Sequence, residues 1–138
     1  MKKTLFTFFS ILFCFVLVQC SGTGTKQKPV ISSSNNSGTN LYFYREGGYI
    51  AGGVLAKIKV NGLEIAKLGV NEHVQHVLNE NFRINVSGAG IGGIGMGKDS
   101  TSGIADGKNY FYIISVKQSL LSTSWTITET TESGFKSK

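Results

Sequence analysis

The chain has 138 residues, with 14 Lys and Arg against 8 Asp and Glu, a formal charge of +6, two cysteines and one proline. That length leaves room for one domain of modest size and excludes a second core. The basic residues are scattered, Lys57 and Lys59 forming the largest local cluster, whereas a nucleic-acid surface needs a basic stripe interleaved with stacking aromatics, so no nucleic-acid partner is expected.

Residues 1–19 read as a signal peptide. Lys2 and Lys3 precede the apolar run from Leu5 to Val18, which is shorter than the roughly 18 residues a membrane-spanning helix requires. The run closes on Leu17-Val18-Gln19-Cys20 and resembles the end of a bacterial lipoprotein signal, in which the cysteine receives lipid and becomes the mature N-terminus. The resemblance implies Cys20 as the lipid attachment residue, acyl chains such as palmitate upon it, and a membrane anchor. With Ser21 following, it implies sorting to the outer membrane, on its periplasmic or surface side. Ordinary cleavage near Ser21 to Thr25, releasing a soluble protein, is the alternative. Cys14 leaves with the signal and Cys20 is consumed by lipid, so the folded domain is expected to hold no cysteine and to depend on its own core. Loss of Lys2 and Lys3 leaves 12 basic and 8 acidic side chains, a difference of +4.

Residues 20–40 are built almost wholly of Ser, Thr, Gly, Asn and Lys, with Cys20, Gln27, Pro29 and the apolar pair Val30-Ile31 as exceptions. Such a composition buries too little surface to offset its ordering entropy, and it reads as a lipidated flexible tether with a reach of roughly 25 Å.

The composition then shifts, and residues 41–130 read as the folded domain. Leu41-Tyr42-Phe43-Tyr44 opens a first strand, followed by a loop punctuated by Gly47, Gly48, Gly52 and Gly53. Val54 to Val60 alternates, with Ala56, Ile58 and Val60 on one side and Leu55, Lys57 and Lys59 on the other. Asn61-Gly62 between two β-prone runs signals a type I′ hairpin, because both central positions need positive φ. Leu63 to Leu68 is then the returning strand. Residues 71–79 fit either a helical or a strand period, the strand being preferred. Phe82, Ile84 and Val86 alternate with polar neighbours, Asn109 to Val116 is apolar on both faces as a central strand is, and Leu121, Thr123, Trp125 and Ile127 continue the pattern. Residues 131–138 are expected to fray. Six or so strands without a helix predict an all-β fold, an antiparallel β-sandwich of immunoglobulin-like or transthyretin-like kind, or a partly open barrel.

The glycine-rich stretch 88–97 carries the most suggestive pattern. Gly88, Gly90 and Gly93 fit a G-x-G-x-x-G spacing, and residues 92–98 fit G-x-x-x-x-G-K, but Asp99 stands where a magnesium-ligating Ser or Thr belongs, and the residues that follow are loop-like. A phosphate loop needs a helix N-terminus after the turn, so no nucleotide is expected. Gly88, Gly90, Gly93 and Gly97 are a candidate interaction loop. Ala89, Gly93 and Gly97 recur every four residues, as in a glycine zipper, and the alternative is a strand-to-strand loop in which glycine serves geometry alone. His73 and His76 would join a metal site only on a helix; on a strand a spacing of three sends them to opposite faces. No metal site and no catalytic residue is expected, because the domain offers no thiol, no G-x-S-x-G serine and no paired carboxylates. Tyr42, Tyr44 and Tyr49 are a candidate aromatic platform for a glycan or peptide.

Tyr42-Phe43-Tyr44-Arg45, then Val60-Asn61-Gly62 with Ile65-Ala66-Lys67-Leu68, then Gly107-Lys108-Asn109-Tyr110-Phe111-Tyr112 are together similar to the bacterial lipoprotein family named domain of unknown function 2846. The resemblance spans residues 42–112 and implies a small exported β-rich domain with no established activity. The expectation is a lipid-anchored cell-envelope protein, not an enzyme, with no cofactor beyond the covalent lipid on Cys20. It would serve as an accessory module that docks another envelope protein through a sheet edge or the glycine-rich loop. A carbohydrate- or lipid-binding envelope domain is the alternative, and an enzyme a distant one.

Overall fold

The computed structural model describes residues 22–31, 38–48 and 51–138; the signal segment, Cys20 and Tyr49 lie outside them. Among the described residues, eight strands form two four-stranded sheets that face each other as a β-sandwich. The strands are β1 (Thr39–Arg45), β2 (Leu55–Val60), β3 (Leu63–Leu68), β4 (His73–Leu78), β5 (Phe82–Ala89), β6 (Asp99–Gly103), β7 (Asn109–Gln118) and β8 (Thr123–Thr130), and a short helix α1 (Glu132–Lys136) follows them. One sheet has the order β4-β1-β7-β8 and the other β3-β2-β5-β6. Every pairing is antiparallel except that of β1 with β7, which runs parallel from Asn40 opposite Asn109 to Arg45 opposite Ile114.

Alternation builds the inner faces. Ala56, Ile58 and Val60 of β2 and Phe82, Ile84 and Val86 of β5 point inward, where they meet Leu41, Phe43, Tyr112, Ile114 and Trp125 of the facing sheet. Asn61 and Gly62 adopt φ of 50° and 83°, the left-handed pair that a type I′ turn requires. The Asn61 side chain extends the turn's role: its Oδ1 accepts from the Arg83 amide at 2.8 Å, and its Nδ2 donates to the Asn81 carbonyl at 3.1 Å. The hairpin is thereby tied to the start of β5. On the way back Lys59 faces Glu64 but Ile58 faces Ala66, so Ile65 forms a bulge.

β1 is buried on both faces. Leu41 and Phe43 enter the space between the sheets, while Tyr42 and Tyr44 lie on the outer face in a second cluster with Phe111 and Phe135. Parallel registration sets Tyr42 beside Phe111 and Phe43 beside Tyr112, with ring centroids 5.1 and 5.5 Å apart and nearly stacked. Aromatic pairs of this geometry contribute about 0.5–1.5 kcal/mol beyond the area they bury.

Arg45 ends β1 with its side chain turned inward and 2% exposed. Its guanidinium donates to the Leu68 carbonyl at 2.9 Å and the Ala51 carbonyl at 2.7 Å, and lies 5.0 Å from the centroid of the Trp125 ring. Burial lowers its pKa from the ordinary arginine value, against the opposing pull of Glu72. The side chain thus binds the first strand to the facing sheet and to the loop that precedes β2.

Four segments differ from the expectations drawn from sequence. Residues 131–138 do not fray as a unit: Thr131 caps α1 by accepting from the Gly134 amide at 3.1 Å, and Phe135 is buried against Tyr42, Tyr44, His73 and Phe111. Asp99 to Gly103, read as loop, is the edge strand β6, paired with β5 from Val86 to Phe82. Thr39 and Asn40, the last two residues of the expected tether, belong to strand β1. Finally, residues 22–31, expected to be a flexible tether, are docked. The Thr23 amide donates to the Lys67 carbonyl at 2.7 Å, and Thr25 and His73 exchange backbone hydrogen bonds of 3.0 and 2.7 Å. Ile31 packs against the outer aromatic cluster. Backbone groups left open on β3 and β4 supply what composition alone could not.

Candidate functional site

Register places one set of connections at a common end of the sandwich. β2 begins where β5 ends, Leu55 facing Ala89, and β3 ends where β2 begins, Leu68 facing Ala56. The turn between β7 and β8 joins this end through an isolated bridge between Gly97 and Ser124.

The glycine-rich segment crosses it. Gly88 still belongs to β5, and Gly90, at φ 74°, turns the chain out of the strand into a single 3-10 turn, Ile91–Gly93. The chain then folds back on itself, so that a Cβ on Gly88 would fall 2.5 Å from the Gly93 Cα and one on Gly93 would overlap the Gly88 backbone. Gly97 meets Ser124 just as closely, at 2.7 Å from a Cβ to that of the serine. The four glycines singled out by sequence therefore sit in one segment, with Gly88 and Gly93 in contact, Gly97 against β8 and Gly90 at the bend. The four-residue recurrence of Ala89, Gly93 and Gly97 falls on no helix, so it forms no zipper face. Lys98 is followed by β6, and no helix N-terminus stands where a phosphate would be held.

This fold-back pushes apolar side chains outward. Ile91 and Ile94 are 89% and 79% exposed. Beside them, Ser119 and Ser122 close the β7–β8 hairpin, the Ser119 amide donating to the Ser122 carbonyl at 2.8 Å and the two hydroxyls lying 2.8 Å apart. Leu120 and Leu121 at its tip are essentially fully exposed. Ile94 and Met96 line one groove with the hairpin residues 118–123, and Ile91 lines another with Leu55, Lys67 and Gly53. Leu121, expected to continue a strand, is turned to solvent instead. Ser-Leu-Leu-Ser is the signal that could have found this, since adjacent leucines in a strand point to opposite faces and cannot both enter one core.

Lys98 and Lys117 flank these tips, both exposed, and neither makes an ion pair with a described residue. The acid that follows Lys98 is engaged by backbone: Asp99 accepts from the Ser100 and Ile127 amides, each at 2.8 Å. The four aliphatic tips carry no titratable or nucleophilic group. What this end offers is apolar contact edged by positive charge.

Each flank of the sandwich is bridged at a few points. Residues 22–25 lie across β3 and β4, and on the opposite flank Gly97 and the Asp99 carboxylate satisfy backbone amides of β8, the Trp125 amide donating to the Gly97 carbonyl at 3.0 Å. These bonds occupy only a few positions along the edges through which docking was expected from sequence.

The remaining candidates separate. His73 and His76 lie on opposite faces of β4. His73 packs against Tyr44 and Phe135, at ring distances of 4.7 and 5.8 Å, and neither of its nitrogens has a hydrogen-bond partner among the described residues. Desolvation lowers its pKa, outweighing the nearby Thr25 backbone, and Lys28 adds to the depression. Burial lowers His76 in the same direction. Among the described residues no three of His, Cys, Asp and Glu converge as metal ligands. Tyr42 and Tyr44 are core residues and form no exposed platform; Gln75 donates to the Tyr42 hydroxyl at 3.3 Å, and Tyr44 to Asn71 at 2.9 Å. Cys20 lies outside the described residues. No helix among the described residues is long and apolar enough to cross a membrane. No protein-family model, no curated protein and no solved structure matches this chain.

Proposed function

We propose that this is a lipid-anchored protein of the bacterial cell envelope, held at the outer membrane by acyl chains on Cys20. It works as an accessory module through contact at the apolar end of its sandwich, and not through catalysis. The lipoprotein-like ending Leu17-Val18-Gln19-Cys20 supports the address. The observation that carries the mode of action is the group Ile91, Ile94, Leu120 and Leu121, all exposed at one end beside Lys98 and Lys117. Scattered apolar residues are ordinary on a surface, but four aliphatic tips on two adjoining connections mark an interaction site.

Intact mass of the protein recovered from membranes tests the address. The expected species begins at Cys20 and is heavier by a diacylglyceryl group and a third acyl chain; a chain beginning after Cys20, without lipid, overturns it. A photoreactive residue placed at Leu121 in living cells tests the contact. It is expected to give an adduct that the same residue at Ile104, on the opposite end, does not give. Equal behaviour at the two positions would remove the contact reading.

A further inference from the structure

The docked segment determines which end of the domain faces the anchor. Gly22 sits in the turn between β3 and β4, so close that a Cβ there would overlap the Glu72 carboxylate and fall 2.5 Å from the Gly69 amide nitrogen. It is fixed there by the Thr23–Lys67 and Thr25–His73 backbone hydrogen bonds. This turn follows Leu68, and Leu68 faces Ala56 next to the Leu55–Ala89 pair, so Gly22 lies at the same end of the sandwich as the glycine-rich segment. Only Ser21 separates Gly22 from Cys20, and the two links span at most about 7 Å. A stalk of roughly 25 Å, as composition alone suggests, is not available between that cysteine and the domain.

We infer that the apolar end is seated on the lipid bilayer itself, with Ile91, Ile94, Leu120 and Leu121 entering the boundary between headgroups and acyl chains; the inference rests on lipidation of Cys20 as proposed above. Three observations select a bilayer as the occupant. The chain leaves the described structure at this end and two residues short of the acylated position. The side chains stand out singly from two turns, 79–104% exposed, which suits insertion into a fluid layer. Lys98 and Lys117, unpaired among the described residues, are placed to meet anionic headgroups. Acyl chains and loop tips then hold the same end of the sandwich against the membrane.

The cysteine usage makes the test direct, because Cys20 is the only cysteine after the signal and lipid blocks it. Single cysteines at Ile91, Leu121 and Ile104 are labelled with an environment-sensitive nitrobenzoxadiazole dye in the mature lipidated protein. Each variant is reconstituted in vesicles of phosphatidylethanolamine and phosphatidylglycerol. The expected result is a blue shift with several-fold brightening at Ile91→Cys and Leu121→Cys, quenched by spin-labelled lipid, and no change at Ile104→Cys, which lies at the opposite end where β6 closes on Phe82. If lipid is present on Cys20 but the three positions report the same aqueous surroundings, the seating is wrong and the anchor stands. Shielding at Ile91 and Leu121 that occurs in cells but not in these vesicles also overturns it, in favour of a protein partner. An unmodified Cys20, seen as lipid-free mass and a second labelled thiol, removes the anchor and the seating together.

Discussion

His73 shows how a polar side chain is used as a packing element. Its ring fills the space between Tyr44 and Phe135, and burial holds its pKa below the ordinary value of 6.5. The unfolded chain therefore takes up a proton that the folded chain declines. Stability is complete above the unfolded pKa and is lost as pH falls below about 6.5 toward the depressed folded value. His76, shifted the same way, adds to the loss. Urea denaturation should give a lower midpoint at about pH 5.5 than at about pH 7.5, with the slope unchanged. His73→Phe should flatten the acid limb to the part His76 supplies, and an unaltered pH dependence in that variant would remove His73 as its source. Arg45 is the opposite case, a charge kept inside by two carbonyls and an aromatic face without a carboxylate bonded to it. Nothing in Tyr42-Phe43-Tyr44-Arg45 marks the arginine as internal except its place in the alternation, where it shares the face of Leu41 and Phe43.

At the scale of elements, the outer face of the β4-β1-β7-β8 sheet depends on α1. A five-residue helix with a glycine inside has little stability of its own; burial of Phe135, only 2% exposed, holds it in place. Phe135→Ala should cost about 3–5 kcal/mol, in the range for a buried aromatic, and should expose Tyr42 and Tyr44 to solvent. Chemical denaturation measures the first effect and tyrosine fluorescence the second; a loss below about 1 kcal/mol, within the spread of surface substitutions, would mean the helix is ornamental. The same contrast explains what was legible in the sequence. β2, β5, β7 and the Asn61-Gly62 turn are written in alternation and turn chemistry, which act locally. β6 is not, because Asp99-Ser-Thr-Ser-Gly103 has no apolar face, and its strand form comes from pairing with β5 and from the Phe82 ring lying against Gly103. Residues 22–31 and α1 were hidden for the same reason, since each is ordered by a surface that only the assembled sheets provide. At the candidate site, the glycines were visible but not their purpose, which is to fold the chain tightly enough to project Ile91 and Ile94.

The molecule as a whole gathers four exposed aliphatic side chains at one end, against the less exposed Leu63 and Ile104 at the other. Its ordered state draws on contacts far apart in sequence: Asn40 pairs with Asn109, and Thr25 with His73. Topologies of this kind fold slowly, in milliseconds to seconds. Stopped-flow refolding of the mature chain should fall in that range; relaxation in microseconds would contradict the dominance of non-local pairing.

The parallel pair of β1 and β7 has a bearing on export. β1 is the first strand to be made and an interior strand of its sheet, yet one of its two neighbours is supplied by residues 109–118, near the end of the chain. Until those residues arrive, β1 has an open edge, Tyr42 lacks Phe111 beneath it, and α1 has nothing to cover. A chain threaded through a membrane from its N-terminus, as proposed for this protein, would thus leave the β4-β1-β7-β8 sheet unfinished on the side it is leaving. It would complete β4-β1-β7-β8 only on the side where its last third emerges. The strand order would keep the protein loose enough to be translocated and let it close once it has crossed.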